Sequence, residues 1–344
     1  MPCGPATSAR QPEVGALLAR EFRNVSALPG NGGGRRSVIA VRSRGCVLLR
    51  RGQGCTHCGL GRHRLWSVHL SEADIVGRFR HDLAARDAHP WSTLCLYTAG
   101  SFFDDSEIPP EAQRAILRAV AARPWISRVV FESRPEFVRE ARLKEVRELL
   151  GDRQIEVGLG LESIDAKVRN EIIGKGTTLS SYRRAVALLH QTGCKATLYV
   201  LVKPPRLTEG EALEEAWRTI QAAFAMGADA VSLEPVAVQT VAPLAQLYHR
   251  GEYRPPRLWT VVELARRAAP LGQVRVGGEV VVPKPIAAAA NCPRCTPRVR
   301  QALREFEQTQ DATVLERVTC ACRGEWEGEV GGRWRREFLG HRPI

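Results

Sequence analysis

Seven of the ten cysteines in this chain fall into two clusters, each spaced like a set of metal ligands. Cys46, Cys55 and Cys58 come first, with eight residues between the first two and two between the last two. Three thiols with no fourth nearby fall short of a closed structural zinc site, which takes four ligands. A [4Fe–4S] cube normally takes four thiolates, so three would leave one iron open to an outside ligand. That is the arrangement needed to pass an electron directly into a bound molecule. His57 and His63 offer an alternative, completing a zinc site, and unrelated thiols are a third reading. The second cluster is Cys292, Cys295, Cys320 and Cys322, a C-x-x-C with a later C-x-C. Four thiols in two pairs suit a tetrahedral zinc site that staples the fold, with a second iron–sulfur cluster as the rival. Cys3, Cys95 and Cys194 have no partner in sequence and read as small buried apolar residues.

Such ligands need a scaffold that gathers them. Short apolar runs at 37–42, 94–98, 128–132, 155–159, 196–201 and 230–234 read as buried strands. Amphipathic patterns near 71–86, 111–122, 136–149, 179–191, 209–225 and 257–269 read as helices. Ser71-x-x-Asp74 and Thr208-x-x-Glu211 mark two helix starts, where a hydroxyl and a carboxylate satisfy free backbone amides. Strand–helix alternation repeated about six times implies a parallel sheet. The spacing suits an α/β fold, a partial (β/α)6 barrel of the TIM type, with chemistry at the C-terminal strand ends. The first cysteine cluster falls just after the first strand. Thr98-Ala99-Gly100-Ser101, Glu132-Ser133-Arg134, Gly160-Leu161-Glu162, Lys203 and Glu234-Pro235 follow the others. Surface loops are polar anyway, so these residues alone do not mark a site. The chain divides into a leader at 1–36, a barrel at 37–285 and a Cys-rich metal-binding extension at 286–344. "LPGNGGGRR" reads as a flexible linker, since no GK[ST] follows it.

Lys plus Arg number 50 against 37 Asp plus Glu, a net charge of +13. That surplus favours a polyanionic partner such as nucleic acid; an arginine-rich surface from a high-GC genome is the alternative. No run reaches the roughly 18 apolar residues of a membrane span. "MPCGPATSARQPEVG" lacks an apolar signal core. The expectation is a cytoplasmic protein with no membrane partner, whose clustered thiols serve metal rather than disulfides.

A cysteine triad after the first strand of a β/α barrel resembles the radical S-adenosylmethionine (radical SAM) superfamily. The usual triad there has three residues, then two, between its cysteines. The longer first gap here is similar to the branch with the elongator catalytic subunit and the archaeosine-synthase radical-SAM subunit. "LYTAGSFFDDSEIP" (96–109), "FESRPEFV" (131–138), "GLESIDAKVRNEIIGKG" (158–176), "LYVLVKPPRLTEGEA" (198–212) and "GEYRPPRLW" (251–259) resemble the second of these, in order. The likeness runs over about residues 38–327.

The resemblance implies a [4Fe–4S] cluster on Cys46, Cys55 and Cys58, with S-adenosylmethionine chelated at the open iron. Its one-electron cleavage leaves a 5′-deoxyadenosyl radical that takes a hydrogen atom from the substrate. Thr98, Ala99, Gly100 and Ser101 would meet the cofactor amino group through backbone carbonyls. Glu132, Ser133 and Arg134 would line the cofactor. Arg134 would clasp its carboxylate with a guanidinium fork, unless an ordinary ion pair holds it. Glu162 would bond a ribose hydroxyl or the substrate, and Lys175 and Lys203 a phosphate or carboxylate. Glu162 and Lys203 are the candidate catalytic pair. Tyr199 points from a strand and serves either site or packing.

In that family the substrate is a tRNA carrying a lysine-modified 7-deazaguanine, and C–N cleavage leaves the formamidine of archaeosine. The implied partners are tRNA, a separate transglycosylase-like subunit that attaches lysine, and an external electron donor. The basic stretches 35–52 and 61–66 would flank the mouth. The Arg- and Ala-rich composition looks bacterial rather than archaeal, so another modified nucleobase or carrier stays open. So do two other functions. One is methylthio or sulfur insertion into RNA, with a second cluster at the C-terminal cysteines as sulfur donor. The other is a non-catalytic, zinc-bound RNA-binding protein.

Overall fold

The computed structural model describes residues 28–29, 35–62, 70–88, 91–277 and 284–331. Cys3, His63, most of the expected leader and much of the basic stretch at 61–66 lie outside the described residues. Eight strands form one sheet in chain order: β1 (Leu28–Pro29), β2 (Arg35–Ala40), β3 (Thr93–Tyr97), β4 (Arg128–Ser133), β5 (Gln154–Glu162), β6 (Lys195–Val202), β7 (Ala230–Pro235) and β8 (Gln273–Val276). β1 pairs antiparallel with β2, across the Gly-rich stretch read as a linker. β2 to β8 are parallel throughout. The six strands read from sequence are all present, and β8 extends the parallel set.

The helices are α1 (Val47–Arg50), α2 (Glu72–Asp87), α3 (Pro110–Ala121), α4 (Glu140–Leu150), α5 (Leu179–Gln191), α6 (Glu209–Ala225), α7 (Leu244–His249), α8 (Leu258–Ala268), α9 (Thr296–Thr309), α10 (Thr313–Glu316) and α11 (Cys322–Gly331). Both expected capping boxes form, Ser71 with Asp74 at α2 and Thr208 with Glu211 at α6. No helix among the described residues is long and apolar enough to cross a membrane.

A period of two organises the parallel strands, because successive side chains leave opposite faces. Ile39, Leu94, Leu96, Val129, Phe131, Val157, Leu159, Leu198, Val200, Val231, Leu233 and Val274 face the helices and form the main core. The residues between them, on the concave face, are of another kind. Val38, Cys95, Val130 and Tyr97 make a small apolar patch there. At the N-terminal strand ends Glu156 is bonded by Arg128, Arg275 and the Thr197 hydroxyl. Burial alone would raise the Glu156 carboxyl, but the two guanidinium groups hold it down to about 2. This network ties β4, β5, β6 and β8 together on the inward face. Beside the edge strand β8, α9 buries Val299, Ala302, Leu303 and Phe306 in the main core, so the Cys-rich extension packs directly on the barrel. Gln310 bonds both backbone groups of Val274 at 2.8 Å and satisfies the edge strand β8.

Candidate active site and metal centres

Cys46 caps α1, and Cys55 and Cys58 follow in the loop beyond it. That loop is pinned at several points that do not involve its sulfurs. The Thr56 N–H donates to the Ile173 carbonyl at 2.8 Å, and its hydroxyl to the Ile172 carbonyl at 2.9 Å. The Leu244 N–H donates to the Thr56 carbonyl at 3.1 Å, and the Gly59 N–H to Gln239 Oε1 at 2.6 Å. A Cβ at Gly59 would collide with the Gln239 side chain, so only glycine allows this approach. The three free thiols feel one another electrostatically, with Lys175 as a nearby cation. Burial pushes the Cys55 thiol up to about 12 and raises Cys58 as well. His57 Nδ1, deep beside Glu162 and Lys175, has no hydrogen-bond partner among the described residues. Three thiols on one preformed loop, with an orphaned ring nitrogen between the last two, fit a site that a cluster and its cofactor complete.

The turn Thr98–Ser101 after β3 packs directly on this loop. A Cβ at Gly100 would lie 2.5 Å from Glu107 Oε2 and 3.0 Å from the Cys46 Cα. Glu107 is fully buried and joins the two segments: Ser43 Oγ donates to Oε1 at 2.8 Å and the Ser101 N–H to Oε2 at 2.7 Å. Its backbone carbonyl accepts from the Arg44 N–H at 3.0 Å. Burial pushes its carboxyl up to about 7, against the pull of these donors. Glu107→Ala leaves buried donors unpaired, which costs about 1–3 kcal/mol. The expected result is lower thermal stability together with weaker S-adenosylmethionine binding, measured by equilibrium dialysis on iron-loaded protein. Glu107→Gln, which keeps the shape and one acceptor, should recover most of both.

Glu162 and Lys175 form a buried ion pair at 2.8 Å above the lumen. Burial would raise the Glu162 carboxyl, yet Lys175 and then His57 pull it below its ordinary value. Gly160 makes room, since a Cβ there would overlap both partners. Glu162 has φ 64° and Lys203 φ 65°, a region that non-glycine residues occupy only when their surroundings enforce it. Lys203, however, is not brought to the cysteine loop by its side chain: Nζ pairs with Glu209 at 2.8 Å. Glu209 also accepts from the Arg257 N–H and the Thr260 hydroxyl, so Lys203 ties β6 to α6 and α8. Arg134 is buried, its N–H bonded to Ser101 Oγ at 3.0 Å and its guanidinium to Glu136 at 2.5 Å. Its charge acts on Glu162 and Lys175, which places it with the loop group. Ser133 donates to the Arg134 carbonyl at 3.0 Å. Lower in the lumen, the Tyr199 hydroxyl donates to Glu132 Oε1 at 3.2 Å.

The second cysteine cluster is assembled. Its four ligand sulfurs lie within 4.8 Å of one another. Cys292 to Cys295 is 3.5 Å, Cys292 to Cys320 3.6 Å and Cys295 to Cys322 3.5 Å. A tetrahedral ion with metal–sulfur bonds of about 2.3 Å sets sulfurs about 3.8 Å apart. An eight-atom iron–sulfur cube, with each thiolate on its own iron, spreads them further. The set therefore fits one mononuclear tetrahedral ion. Trp259 Nε1 donates to Cys322 Sγ at 3.4 Å, a bond to a ligand sulfur from outside the set.

Sequence reading singled out the strand-end residues but missed Glu107, Gln239 and the pairing of Lys175 with Glu162. Glu107 lies within the quoted stretch 96–109, yet nothing in its spacing says that it spans two loops.

Comparison with known proteins places the chain. The radical SAM superfamily model matches residues 41–216. A protein named archaeosine synthase subunit beta from Methanosarcina acetivorans is 30% identical over 291 residues, covering 84% of this chain and 83% of that protein. One of the same name from Thermococcus kodakarensis is 30% identical over 315 residues, covering 88% and 93%. Among solved structures, an N-terminally truncated Elp3 from Methanocaldococcus infernus superposes with TM-score 0.50 at 18% identity. That match covers 67% of this chain and 58% of that one, and it speaks to fold alone.

Proposed function

This chain belongs to the radical SAM superfamily, and on that premise we propose that it is a C–N lyase acting on a modified 7-deazaguanine nucleoside in tRNA. The observation that carries the reading is the pinned loop bearing Cys46, Cys55 and Cys58, packed against the turn after β3 and near Glu162 at the end of β5. When bound, a [4Fe–4S] cluster and S-adenosylmethionine supply a 5′-deoxyadenosyl radical that takes hydrogen from the substrate. The chain's own residues position and enclose. Thr98, Ala99, Gly100 and Ser101 pack on the triad loop and are assigned to the cofactor amino group. Arg134 is assigned to its carboxylate, with Glu132 and Ser133 beside it. Glu162, aimed by Lys175, is assigned to orienting ribose or substrate. Lys203, already engaged by Glu209, is assigned to holding the rim. Exposed Arg50 and Arg51 on and after α1 offer phosphate contacts at the mouth.

Relatives named as beta subunits support a partner subunit, which we take to be the enzyme that attaches lysine to the base; an external donor supplies electrons. We assign zinc to Cys292, Cys295, Cys320 and Cys322. Sulfur insertion would call for a second cluster at those four thiols, and their spacing favours a single ion. The test is direct. Anaerobically reconstituted protein with a reductant and S-adenosylmethionine is expected to release 5′-deoxyadenosine. Transfer RNA bearing lysine-modified 7-deazaguanine is expected to gain archaeosine by nucleoside mass spectrometry. Deoxyadenosine with unchanged tRNA would remove the base assignment; none at all from loaded protein would remove the radical chemistry too.

A further inference from the structure

We infer that Arg169 is a positioning residue for the cofactor site, the hub of a buried clamp that holds Cys55 and Glu162 in register. The inference rests on the triad loop as the cluster site and is independent of which base is modified.

The clamp is the segment between β5 and α5. It contains a five-residue π-helix, Val168–Ile172, closed by the Ile173 N–H on the Val168 carbonyl at 2.9 Å. Such turns are rare and concentrate at functional sites. Arg169 is 2% exposed, and its partners are carbonyls rather than carboxylates. Its Nη1 donates to the Ser163 and Ile164 carbonyls at 2.9 and 3.1 Å, and its Nε to the Thr177 carbonyl at 3.1 Å. One guanidinium therefore ties the start of the segment to its end. The Arg169 carbonyl in turn accepts from the Lys175 N–H at 2.9 Å. Asn170 doubles the closure, bonding both backbone groups of Thr177 at 3.0 Å.

A buried cation with no counter-anion is expensive to desolvate, and the closed segment shows what that cation secures. A helix end leaves its last carbonyls without intrahelical partners. Here the Ile172 and Ile173 carbonyls accept from the Thr56 hydroxyl and N–H, at 2.9 and 2.8 Å. Gly174, at φ 81°, comes so close that a Cβ there would lie 3.1 Å from the Gly54 carbonyl oxygen. Cys55 is thus gripped through both of its chain neighbours. One residue further on, Lys175 pairs with Glu162 at 2.8 Å. A single segment thereby sets a ligand thiol and the carboxylate assigned to ribose or substrate. Lysine at 169 would keep the charge, but it lacks the fork that reaches both ends at once.

The experiment uses full-length protein with its cluster loaded, kept anaerobic and free of RNA. On adding S-adenosylmethionine to the wild type, hydrogen exchange read by mass spectrometry is expected to slow over 54–60 and over 163–177 together. Arg169→Lys is expected to keep its iron yet bind S-adenosylmethionine at least about tenfold more weakly by equilibrium dialysis. It should also lose most of the change that the cofactor makes in the EPR spectrum of the reduced cluster. A purely structural arginine would lower the melting temperature and leave affinity and spectrum alone, and that result would overturn the inference. So would protection gained over 54–60 without any over 163–177. The exchange pattern needs no variant, so it decides the case whatever Arg169→Lys does to folding. Because no tRNA enters, the clamp and the lyase reading can each fail alone.

Discussion

Replacing Cys55 by alanine is expected to abolish 5′-deoxyadenosine formation, by roughly a thousandfold or more, while the barrel stays folded. The argument has two halves. Chemically, a cube held by two thiolates loses an iron or never assembles, and the electron route into the cofactor goes with it. Structurally, the loop does not depend on its cluster for its shape. Thr56 is bonded to Ile172, Ile173 and Leu244, and Gly59 to Gln239, all through groups that the substitution leaves untouched. Cys55 only borders the small cluster of Val168, Ile172 and Leu244, so the lost packing amounts to about 1 kcal/mol or less. Iron content, visible absorbance and deoxyadenosine yield should collapse together, with circular dichroism and the melting temperature nearly unchanged. A variant that still binds four irons and turns over would dismiss Cys55 as a ligand. One that unfolds would instead show that the cluster holds the loop.

The barrel was legible from sequence because its outward faces are apolar at every second position. Val129 and Phe131, or Leu198 and Val200, announce strands wherever they stand. β8 escaped notice because Gln273–Val276 has four residues, one of them an arginine committed to an ion pair with Glu156. The site was legible only in part, for a physical reason. Local spacing shows which residues follow strands, but the closures are long-range. Gly59 meets Gln239, Thr56 meets Ile173, and Glu107 meets Ser43, and no periodicity records those meetings. The inward face also lacks a pattern, since glycines, tyrosines and acids replace one another according to what the lumen must hold. Lys203 illustrates the hazard: its strand-end position looks chemical, yet Glu209 claims its ammonium.

Removing the C-terminal metal is expected to have the opposite signature from Cys55→Ala, a large loss of stability reported from the C-terminal extension. Here the thiols are the junction. Cys292 and Cys295 lead into α9, Cys320 and Cys322 into α11, and the shortest links between these pairs are sulfur to sulfur. Without a cation, four thiols 3.5 to 3.6 Å from their neighbours cannot all ionise, and the coordination bonds are gone. The segment would not detach entirely. Val299, Leu303 and Phe306 remain in the main core, and Trp326 still bonds the Thr260 hydroxyl at 2.8 Å. The expected loss is therefore about 5 kcal/mol, below the roughly 10–16 kcal/mol that zinc gives peptides with no other core. Cys295→Ser should cost more than Cys320→Ser, because Cys295 is 0% exposed and its hydroxyl replacement would be stranded. Chelation followed by thermal unfolding and hydrogen exchange measures both effects, with protection lost first over 296–331. Elemental analysis should find one zinc per chain beside the iron of the triad. Additional iron and sulfide at this site, or an unchanged melt after the metal is stripped, would refute the staple. Because Thr260 also bonds Glu209, and Glu209 holds Lys203, slackening α11 should reach the barrel rim. Stripped protein is accordingly expected to bind S-adenosylmethionine less tightly, even with its triad fully loaded.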